Sequence, residues 1–474
     1  MKKFIFRKNA RRSNPYRVLA MLVLVLAGLF LLRSYGSGEV EVLFSPTPTP
    51  TRSSASYSFE GNTHFEAGNL DAAIAAYRSA LETSPEDARL WQELARIQAY
   101  SSNLLTTNLQ RRQRLAEALE SAQKATQFAP DDSSAFAVLA FVMDWNAALA
   151  EDPAQRDEML LNAELTAQQS IQKDPENVLA LVYTAEILLD QGRLDQAQQY
   201  ITLAKERNEN LMDVQRVRAS ILETLGDYQG AIDAYNRAIE ISPNLTFLYI
   251  RAGVIYRYLG MTAPSESPQQ TQNYNTALEY FAKAVELNKQ LNINDPVPYI
   301  AIGKVYTQMG EFFVASRNAK KALQIDPTSP DLYGQLAMVY FKARNYESAI
   351  PAFECAIEGC APAVSCEVRE CLEGDPNITI EGIPLEANDT ATVVYYYTYG
   401  SVLAGLHRPV GPTSGYCARA LVVFDSVRAV FSAEPSIMSI VEASESICAS
   451  YGVTRAGGSL QPSATPSPTP AAGE

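Results

Sequence analysis

The residues best suited to covalent or metal chemistry are six cysteines, which all lie in the last quarter of the 474-residue chain. They are Cys355, Cys360, Cys366, Cys371, Cys417 and Cys448. The first four are spaced by five, six and five residues, which does not match zinc sites built on pairs two to four residues apart. An even number of cysteines in an exported chain favours disulfide bonds, although six separate buried thiols would fit the same sequence.

The order of the cysteines favours one pairing among the fifteen that six cysteines allow. If the chain turns back near residues 361–364, the flanking arms run antiparallel and the four nearest cysteines pair in nested order. The last two cysteines fall on what we predict to be the final two antiparallel helices. The predicted disulfides are Cys355–Cys371, Cys360–Cys366 and Cys417–Cys448.

No other residues form a pattern that predicts catalysis, a metal or a cofactor. The two histidines, His64 and His407, are far apart and neither lies in a cysteine or carboxylate pattern. The motifs of phosphate-binding loops, dinucleotide-binding loops, nucleophile elbows and zinc proteases do not occur in the sequence. We therefore predict no catalytic, cofactor-binding or metal-binding residue, and we predict that the protein is not an enzyme.

Charge is distributed unevenly along the chain. The net charge is −14, which argues against nucleic acid as a partner because phosphates require a basic surface. Residues 1–17 carry seven basic side chains and no acidic one, which leaves −21 on the remaining residues. Residues 18–32 then form a run of fifteen residues without a charge. A basic flank before an apolar run is typical of a segment that enters a membrane with its N-terminus in the cytoplasm.

These features predict a basic cytoplasmic tail at residues 1–17 and a transmembrane signal-anchor at residues 18–34. The apolar run is short for a hydrocarbon core of about 30 Å, and a cleaved signal peptide has an apolar region of similar length. Arg33 follows the run directly and no A-x-A cleavage site is present, which favours an uncleaved anchor. The prediction is a single-pass membrane protein whose body lies outside the cytoplasm, in a bacterial cell envelope.

Two segments rich in proline, threonine and serine flank the body of the chain. Residues 35–56 include SPTPTPTRSSAS and are predicted to form an extended stalk. Residues 453–474 end in QPSATPSPTPAAGE and are predicted to form a disordered tail.

Between these segments a pattern of small and aromatic residues recurs about every 34 residues. Two clear copies are Gly61, Gly68, Ala73, Tyr77, Ala80 and Pro85, then Ala219, Gly226, Ala231, Tyr235, Ala238 and Pro243. The first small residue lets two helices approach closely, and the glycine that follows it ends the first helix. Small and aromatic residues spaced by four and three form the packing stripe of a second helix. The pattern predicts a chain of helical hairpins.

This pattern resembles the tetratricopeptide repeat, whose W-x2-L-G-x2-Y…A-x3-F…P signature spans 34 residues. Trp91, Leu94 and Ala95 supply the opening of that signature in the second copy. We predict about nine hairpins over residues 57–435, starting near residues 54, 88, 133, 178, 212, 246, 296, 330 and 393. A cysteine-containing irregular insert at 357–390 interrupts them, and a helix at 436–452 caps the open end. The resemblance implies an all-α, right-handed superhelical solenoid that binds proteins or peptides in a concave groove.

One stripe on the first helix of each hairpin, at repeat positions 2, 5, 9, 12 and 13, is expected to line that groove. The predicted groove residues are Arg96, Tyr100, Phe141, Trp145, Phe247, Ile250, Val254, Tyr258, Met338, Phe341 and Tyr397. The four in the sixth hairpin form an apolar patch. Co-chaperone members of the family hold a C-terminal carboxylate at positions occupied here by Ser58, Asn62, Glu93, Ser134 and Val138. Only Asn62 fits, so the resemblance disfavours that ligand at those positions.

The leading functional hypothesis is a membrane-tethered scaffold that binds peptide or protein partners during envelope assembly. One alternative is an accessory subunit of an enzyme complex, for polysaccharide export or cytochrome c maturation. A third is an enzyme whose unrecognised site lies in residues 357–390.

Overall fold

A computed structural model describes residues 14–36, 52–150, 152–371, 376–387, 389–456 and 459–462. Within these residues the regular structure is α-helical apart from one short 3-10 helix (Ser102–Leu104) and one pair of strands. The helices are α1 (Pro15–Gly36), α2 (Ser54–Glu66), α3 (Leu70–Thr83), α4 (Ala88–Ser101), α5 (Asn108–Phe128), α6 (Ser133–Ala147), α7 (Pro153–Lys173), α8 (Val178–Asp190), α9 (Leu194–Arg207), α10 (Met212–Thr224), α11 (Tyr228–Ile241), α12 (Thr246–Thr262), α13 (Pro268–Leu291), α14 (Val297–Gln308), α15 (Phe312–Ile325), α16 (Pro330–Lys342), α17 (Tyr346–Ile357), α18 (Pro362–Arg369), α19 (Thr392–Leu406), α20 (Tyr416–Phe431) and α21 (Pro435–Ser450). The strands are β1 (Val453–Ala456) and β2 (Ser459–Pro462).

The chain divides into two compact units, Met1–Arg52 and Ser53–Glu474. The first unit contains α1, but no helix in the described part of the chain is long and apolar enough to cross a membrane. The uncharged run of fifteen residues makes about 22 Å of helix, against a hydrocarbon core of roughly 30 Å. The prediction of a single-pass membrane protein, anchored through residues 18–34 with its body in a bacterial cell envelope, is therefore wrong. Most of the predicted basic tail and stalk, residues 1–13 and 37–51, lies outside the described residues.

The second unit is built from consecutive helical hairpins. Nine pairs of neighbouring helices in the described part of the chain pack along their lengths: α2–α3, α4–α5, α6–α7, α8–α9, α10–α11, α12–α13, α14–α15, α16–α17 and α19–α20. Their first helices begin at Ser54, Ala88, Ser133, Val178, Met212, Thr246, Val297, Pro330 and Thr392. Each start lies within one residue of the start predicted from the repeat spacing. We number the hairpins one to nine in this order.

Close packing inside hairpins one and six depends on a small residue that faces an aromatic ring. A Cβ added to Gly61 would lie 2.6 Å from the ring of Tyr77, and one added to Gly253 would lie 2.5 Å from Phe281. Both distances are shorter than any stable carbon contact, so the rings occupy the volume that a larger side chain would need. The recurring small residue of the sequence pattern therefore sets the distance between the two helices of a hairpin.

Glycines with positive φ end the first helix of several hairpins. Gly68, Gly226 and Gly310 have φ values of 82°, 80° and 80°, a left-handed conformation that glycine adopts without the steric penalty of a side chain. At Asn69 and Asp227, the residues directly after two of these turns, a side-chain oxygen accepts a backbone N–H of the next helix. This glycine and cap sequence explains why the hairpins are short and regular.

Hairpin one touches the loop between hairpins five and six, so the first part of the solenoid closes on itself. The side-chain amide of Asn244 donates to the carbonyl of Glu66 at 2.9 Å, and a Cβ on Gly68 would lie 2.1 Å from the carbonyl oxygen of Asn244. An ideal solenoid repeat contacts only its neighbours. This contact of hairpin one is therefore an addition to the repeat architecture.

A second long-range contact comes from the extra residues of hairpin two. The segment of residues 102–112, which we call the strap, reaches hairpin eight and the residues before hairpin nine. Arg112 donates to Glu386 at 2.8 Å, Asn108 donates to Asp389 at 3.3 Å, and Thr106 hydrogen-bonds Ser329 at 2.7 Å. The strap ties the first half of the solenoid to the second.

The irregular insert after hairpin eight is held by two short disulfides. Cys355 bonds Cys360 and Cys366 bonds Cys371, so the predicted nested pairs Cys355–Cys371 and Cys360–Cys366 are wrong. The chain turns at Gly359, with φ of 81°, and again at Glu370, with φ of 57°. Because each turn lies between two cysteines that are five residues apart, each cysteine meets its nearest neighbour in sequence. The chain then returns along hairpin eight through a bridge between Cys360 and Ile380.

The C-terminal end is closed by α21, which packs on α19 and α20. Cys417 of α20 bonds Cys448 of α21, which is the pairing that the sequence predicts, and both residues are fully buried. Residues 453–462, assigned from the sequence to a disordered tail, include the antiparallel strands β1 and β2. Residues 463–474 lie outside the described residues.

Candidate functional site

The inner side of hairpins two to five is formed by α4, α6, α8 and α10, whose neighbouring members pack side by side. Side chains from these helices and from α12 meet there in one group, which we call the axial cluster. Its members are Arg96, Tyr100, Phe141, Trp145, Tyr183, Glu186, Asp213, Arg216 and Phe247. Four of the predicted groove residues and Phe247 of the predicted apolar patch belong to it.

The rings of the axial cluster stack against one another. Tyr100 lies 5.5 Å from both Phe141 and Phe247, and Phe141 lies 4.4 Å from Tyr183, measured between ring centroids. Tyr100 and Phe141 are fully buried and Phe247 is only 7% exposed. The prediction that these residues face an open groove is therefore wrong, because the opposite side of the closed turn covers them.

The charges of the axial cluster neutralise one another. Arg216 makes two hydrogen bonds to the Glu186 carboxylate, at 2.6 and 2.7 Å, and lies 3.5 Å from Asp213. The Tyr100 hydroxyl donates to Asp213, and a guanidinium nitrogen of Arg96 lies 3.8 Å from the same carboxylate. Trp145 donates its indole N–H to Glu186 at 3.2 Å. These pairings leave Arg96 and Trp145 engaged within the chain, although both were predicted to be available to a partner.

One carboxyl group next to this cluster has no hydrogen bond from the described residues. Both oxygens of Asp144 are buried without a partner among them. Burial raises the pKa of the Asp144 carboxyl well above its usual range, and the nearby Asp190 and Glu186 raise the pKa further. The interior of the closed turn is thus a dense polar and aromatic core.

The remaining residues of the predicted apolar patch lie outside this core. Ile250 and Val254 are half-buried and pack against the cluster that contains Tyr274 and Phe281. Tyr258 is 42% exposed, and its ring lies 5.1 Å from the ring of Tyr228. The patch is therefore divided between the core and the surface.

The inner side of hairpins six to nine is different, because it contains an open cavity of about 340 Å³. Helices α12, α14, α16 and α19 supply most of its wall, with α15 closing its back. Apolar side chains cover much of the wall: Ile300, Leu332, Met338, Val339 and Val394. Of the predicted groove residues, Met338 lines this cavity, whereas Phe341 lies beside Tyr346 and Tyr397 packs on the C-terminal core.

Three cationic side chains also line the cavity: Arg257 of α12, Lys304 of α14 and Lys342 of α16. Lys304 and Lys342 are exposed and Arg257 is half-buried. None of the three is among the predicted groove residues, which are apolar or aromatic apart from Arg96. Counted from the predicted hairpin starts, they occupy positions 12, 9 and 13 of the same stripe, so the stripe contained the signal that would have found them.

Within the described residues, no group of three or more histidine, cysteine, aspartate or glutamate side chains is arranged to hold a metal ion. All six cysteines are in disulfides.

Consecutive helical hairpins that share one curved inner surface define a helical-repeat protein of the solenoid class. Family models described as tetratricopeptide repeat match residues 59–97, 166–199, 217–245 and 318–350. The chain therefore contains repeats of the tetratricopeptide repeat family, and such repeats imply a scaffold for protein–protein interaction. Scaffolds of this kind are generally not enzymes.

Similar proteins carry the same description. TPR repeat-containing protein MJ1428 of Methanocaldococcus jannaschii is 23% identical over 266 residues, which are 52% of this chain and 44% of that protein. Small glutamine-rich tetratricopeptide repeat-containing protein 2 of Mycosarcoma maydis is 29% identical over 98 residues, 21% of this chain and 27% of that protein. The chain thus spans less than half the length of these curated relatives.

Among solved structures, a tetratricopeptide repeat protein from Parabacteroides merdae is 18% identical, with a TM-score of 0.39. The alignment covers 64% of this chain and 98% of that one. A thermophilic TPR protein from Thermus thermophilus is 19% identical, with a TM-score of 0.36, over 43% of this chain and 98% of that one.

Proposed function

We propose that the protein holds a peptide or protein partner on the inner surface formed by α12, α14, α16 and α19. The observation that carries this proposal is the open cavity of about 340 Å³ on that surface. Binding pockets in proteins typically have volumes of about 300–1,000 Å³, so the cavity is large enough to accept one or two side chains of a partner.

The contrast with the first part of the solenoid supports this assignment. There, the chain's own aromatic rings and paired charges occupy the inner side, and a partner would have to displace them. In hairpins six to nine the apolar wall is accessible, and the nearby cations have no ion pair with the residues that the structure describes. A partner can bind there without breaking contacts of the free protein, which lowers the energetic penalty of association.

Site-specific photocrosslinking tests the proposal. A photoreactive residue at Gln335, which lines the cavity, is expected to crosslink a partner in native cells that the same residue at exposed Gln229 of α11 does not. The captured protein is then identified, purified and shown to bind the purified scaffold. Filling the cavity with Gln335→Trp should weaken that binding at unchanged melting temperature.

Equal crosslinking from Gln335 and Gln229 would contradict the proposed surface. So would unchanged binding by a folded Gln335→Trp variant, because the larger side chain occupies the volume that the partner needs.

A further inference from the structure

Several exposed basic residues of this chain, such as Arg193, Arg207 and Arg251, form ion pairs, whereas the three cations of the cavity form none with the residues that the structure describes. Among the described residues, no carboxylate lies within salt-bridge distance of Arg257, Lys304 or Lys342. By contrast, Arg251, which precedes Arg257 on the same helix, lies 2.9 Å from Glu223. The cavity therefore gathers positive charge that the protein does not neutralise itself.

The nearest acidic group is already engaged. Asp331 accepts a hydrogen bond from the Tyr395 hydroxyl at 2.9 Å, and burial raises the pKa of its carboxyl. Asp331 does not line the cavity, whereas Tyr395 does. The wall therefore presents positive charge and apolar surface, and none of the residues that line it is a carboxylate.

The environment of the cations adds to this imbalance. Although Lys304 is exposed, it lies within the curve of the solenoid, where the surrounding protein lowers the pKa of its amine. Asp331 opposes that effect, and the neighbouring Arg257 and Arg111 add to it. Burial also lowers the pKa of Arg257. A bound anion would relieve the repulsion among these groups.

We propose that the cavity recognises a carboxylate of a peptide segment that places an apolar side chain next to that carboxylate. This ligand class rests on the proposed partner-binding surface. The carboxylate lies against Arg257, Lys304 and Lys342, and the apolar side chain lies against Ile300, Met338 and Val394. Charge-assisted hydrogen bonds to such cations are stronger than neutral ones. These residues lie in hairpins six to nine, not at the co-chaperone positions of hairpins one to three.

The charge of the whole chain favours a peptide over a nucleic acid as the source of the anion. The net charge is −14, which would repel a long polyanion, whereas a short acidic segment meets mainly the local cations. Beyond about 8 Å at physiological salt, the acidic remainder of the surface is screened.

Peptide binding by the full chain tests the ligand class. The probe is an acetylated and amidated hexapeptide with two aspartates between leucines. Its matched probes carry asparagine in place of both aspartates, with either an amidated or a free C-terminus, so that side-chain and terminal carboxylates are distinguished. We expect the acidic probe to bind at least about tenfold more tightly than the fully neutral one, and its affinity to fall with added salt. Tighter binding of the free-terminus probe alone would also support carboxylate recognition and would assign the anion to a chain end.

Variants locate the binding to the cavity. Arg257→Met with Lys304→Met should weaken binding of the acidic probe about tenfold or more, whereas Arg89→Met with Lys205→Met should not. The control pair removes the same two charges from exposed positions of α4 and α9 that do not line the cavity. Lys304→Arg keeps the charge and should retain binding, which separates charge from folding defects.

Equal affinity for all three probes, or equal loss in the control pair, would overturn the proposal. The proposal would also be overturned if millimolar inorganic phosphate displaced the bound acidic probe as effectively as an excess of the same peptide, because the site would then bind any small anion. If a partner crosslinks at Gln335 and the Arg257→Met, Lys304→Met variant still binds it, only the ligand class fails. Absence of any partner at Gln335 would reject the surface itself.

Discussion

Replacement of Arg216 by methionine tests whether the inner side of the first turn is core or groove. The arginine side chain is 8% exposed and bonds to Glu186, which is 12% exposed, and it lies near Asp213, which is fully buried. Methionine keeps an apolar stem of similar length next to the rings of Tyr100 and Phe141. The change therefore removes the charge and leaves the Glu186 carboxylate without its cationic partner, while Asp213 keeps Arg96 and the Tyr100 hydroxyl. Breaking a buried pair in this way destabilises proteins by about 3–5 kcal/mol.

Urea unfolding followed by far-ultraviolet circular dichroism measures this effect. The matched control is Arg207→Met, because Arg207 pairs with Glu176 at 2.9 Å with side-chain exposures of 28% and 77%. An exposed pair contributes about 0–1 kcal/mol, so the control should unfold close to the native midpoint. Adding Glu186→Gln to Arg216→Met should recover part of the lost stability, because it removes the buried carboxylate charge that Arg216 had paired.

A loss of less than about 1 kcal/mol for Arg216→Met would refute the reasoning. That result would mean that water reaches Glu186 and Asp213 in the native protein. The closed turn would then be open enough for a partner, as the sequence analysis expected.

Three further predictions concern stability at other positions. Burial raises the pKa of Asp295 to about 6. Its carboxyl therefore contributes about 3 kcal/mol to the free energy of unfolding at a pH below its usual pKa, and this contribution is lost as the pH rises through 6. Asp295→Asn should flatten this part of the pH–stability curve, and an unchanged slope would exclude Asp295 as its source. Cys417→Ser with Cys448→Ser opens a loop whose ends are 31 residues apart and should lower stability by about 3–4 kcal/mol, measured by thermal unfolding; a melting temperature equal to that of the native protein would contradict it. Gly253→Ala places a Cβ 2.5 Å from Phe281 and should destabilise by about 1–3 kcal/mol, whereas Gly405→Ala, with no atom within 4 Å, should be neutral or stabilising; equal effects of the two changes would show that ring contact does not set the helix spacing.

The repeat architecture could be predicted from the sequence because its determinants are local. A glycine such as Gly68 ends a helix, and Gly61 and Tyr77 lie 16 residues apart, within one hairpin. Such signals recur at the spacing of the repeat, and each hairpin is built from the same local pattern. Helix starts were therefore predicted to within one residue for the first helix of every hairpin.

Whether the inner side of the solenoid is filled or open could not be predicted, because this depends on contacts between residues far apart in sequence. Tyr100 meets Asp213 at a separation of 113 residues, and Asn244 meets Glu66 at 178. The stripe rule identifies which side of a helix faces inward, but it contains no information on how far the solenoid curves. A stripe residue is core where the turn closes and surface where it remains open.

The two disulfides of the insert were predicted wrongly for a related reason, which acts over a shorter range of sequence. The predicted turn at residues 361–364 is the start of α18, a helix that begins at Pro362. The reversal occurs earlier, at Gly359, and so pairs Cys355 with Cys360. A shift of a few residues in a turn is enough to change the partner of every cysteine in the insert.

Closure of the first turn and the free charges of the cavity together determine where the scaffold can bind. A partner at the axial cluster would have to separate Arg216 from Glu186 and expose stacked rings, which costs several kcal/mol before any new contact forms. At the cavity, Lys304 and Lys342 are exposed and unpaired within the described residues. The strap, through Arg112 and Glu386, holds the two halves of the solenoid together, so the cavity wall is arranged before the partner arrives. Under the proposed function, hairpins one to five support the proposed binding surface in hairpins six to nine.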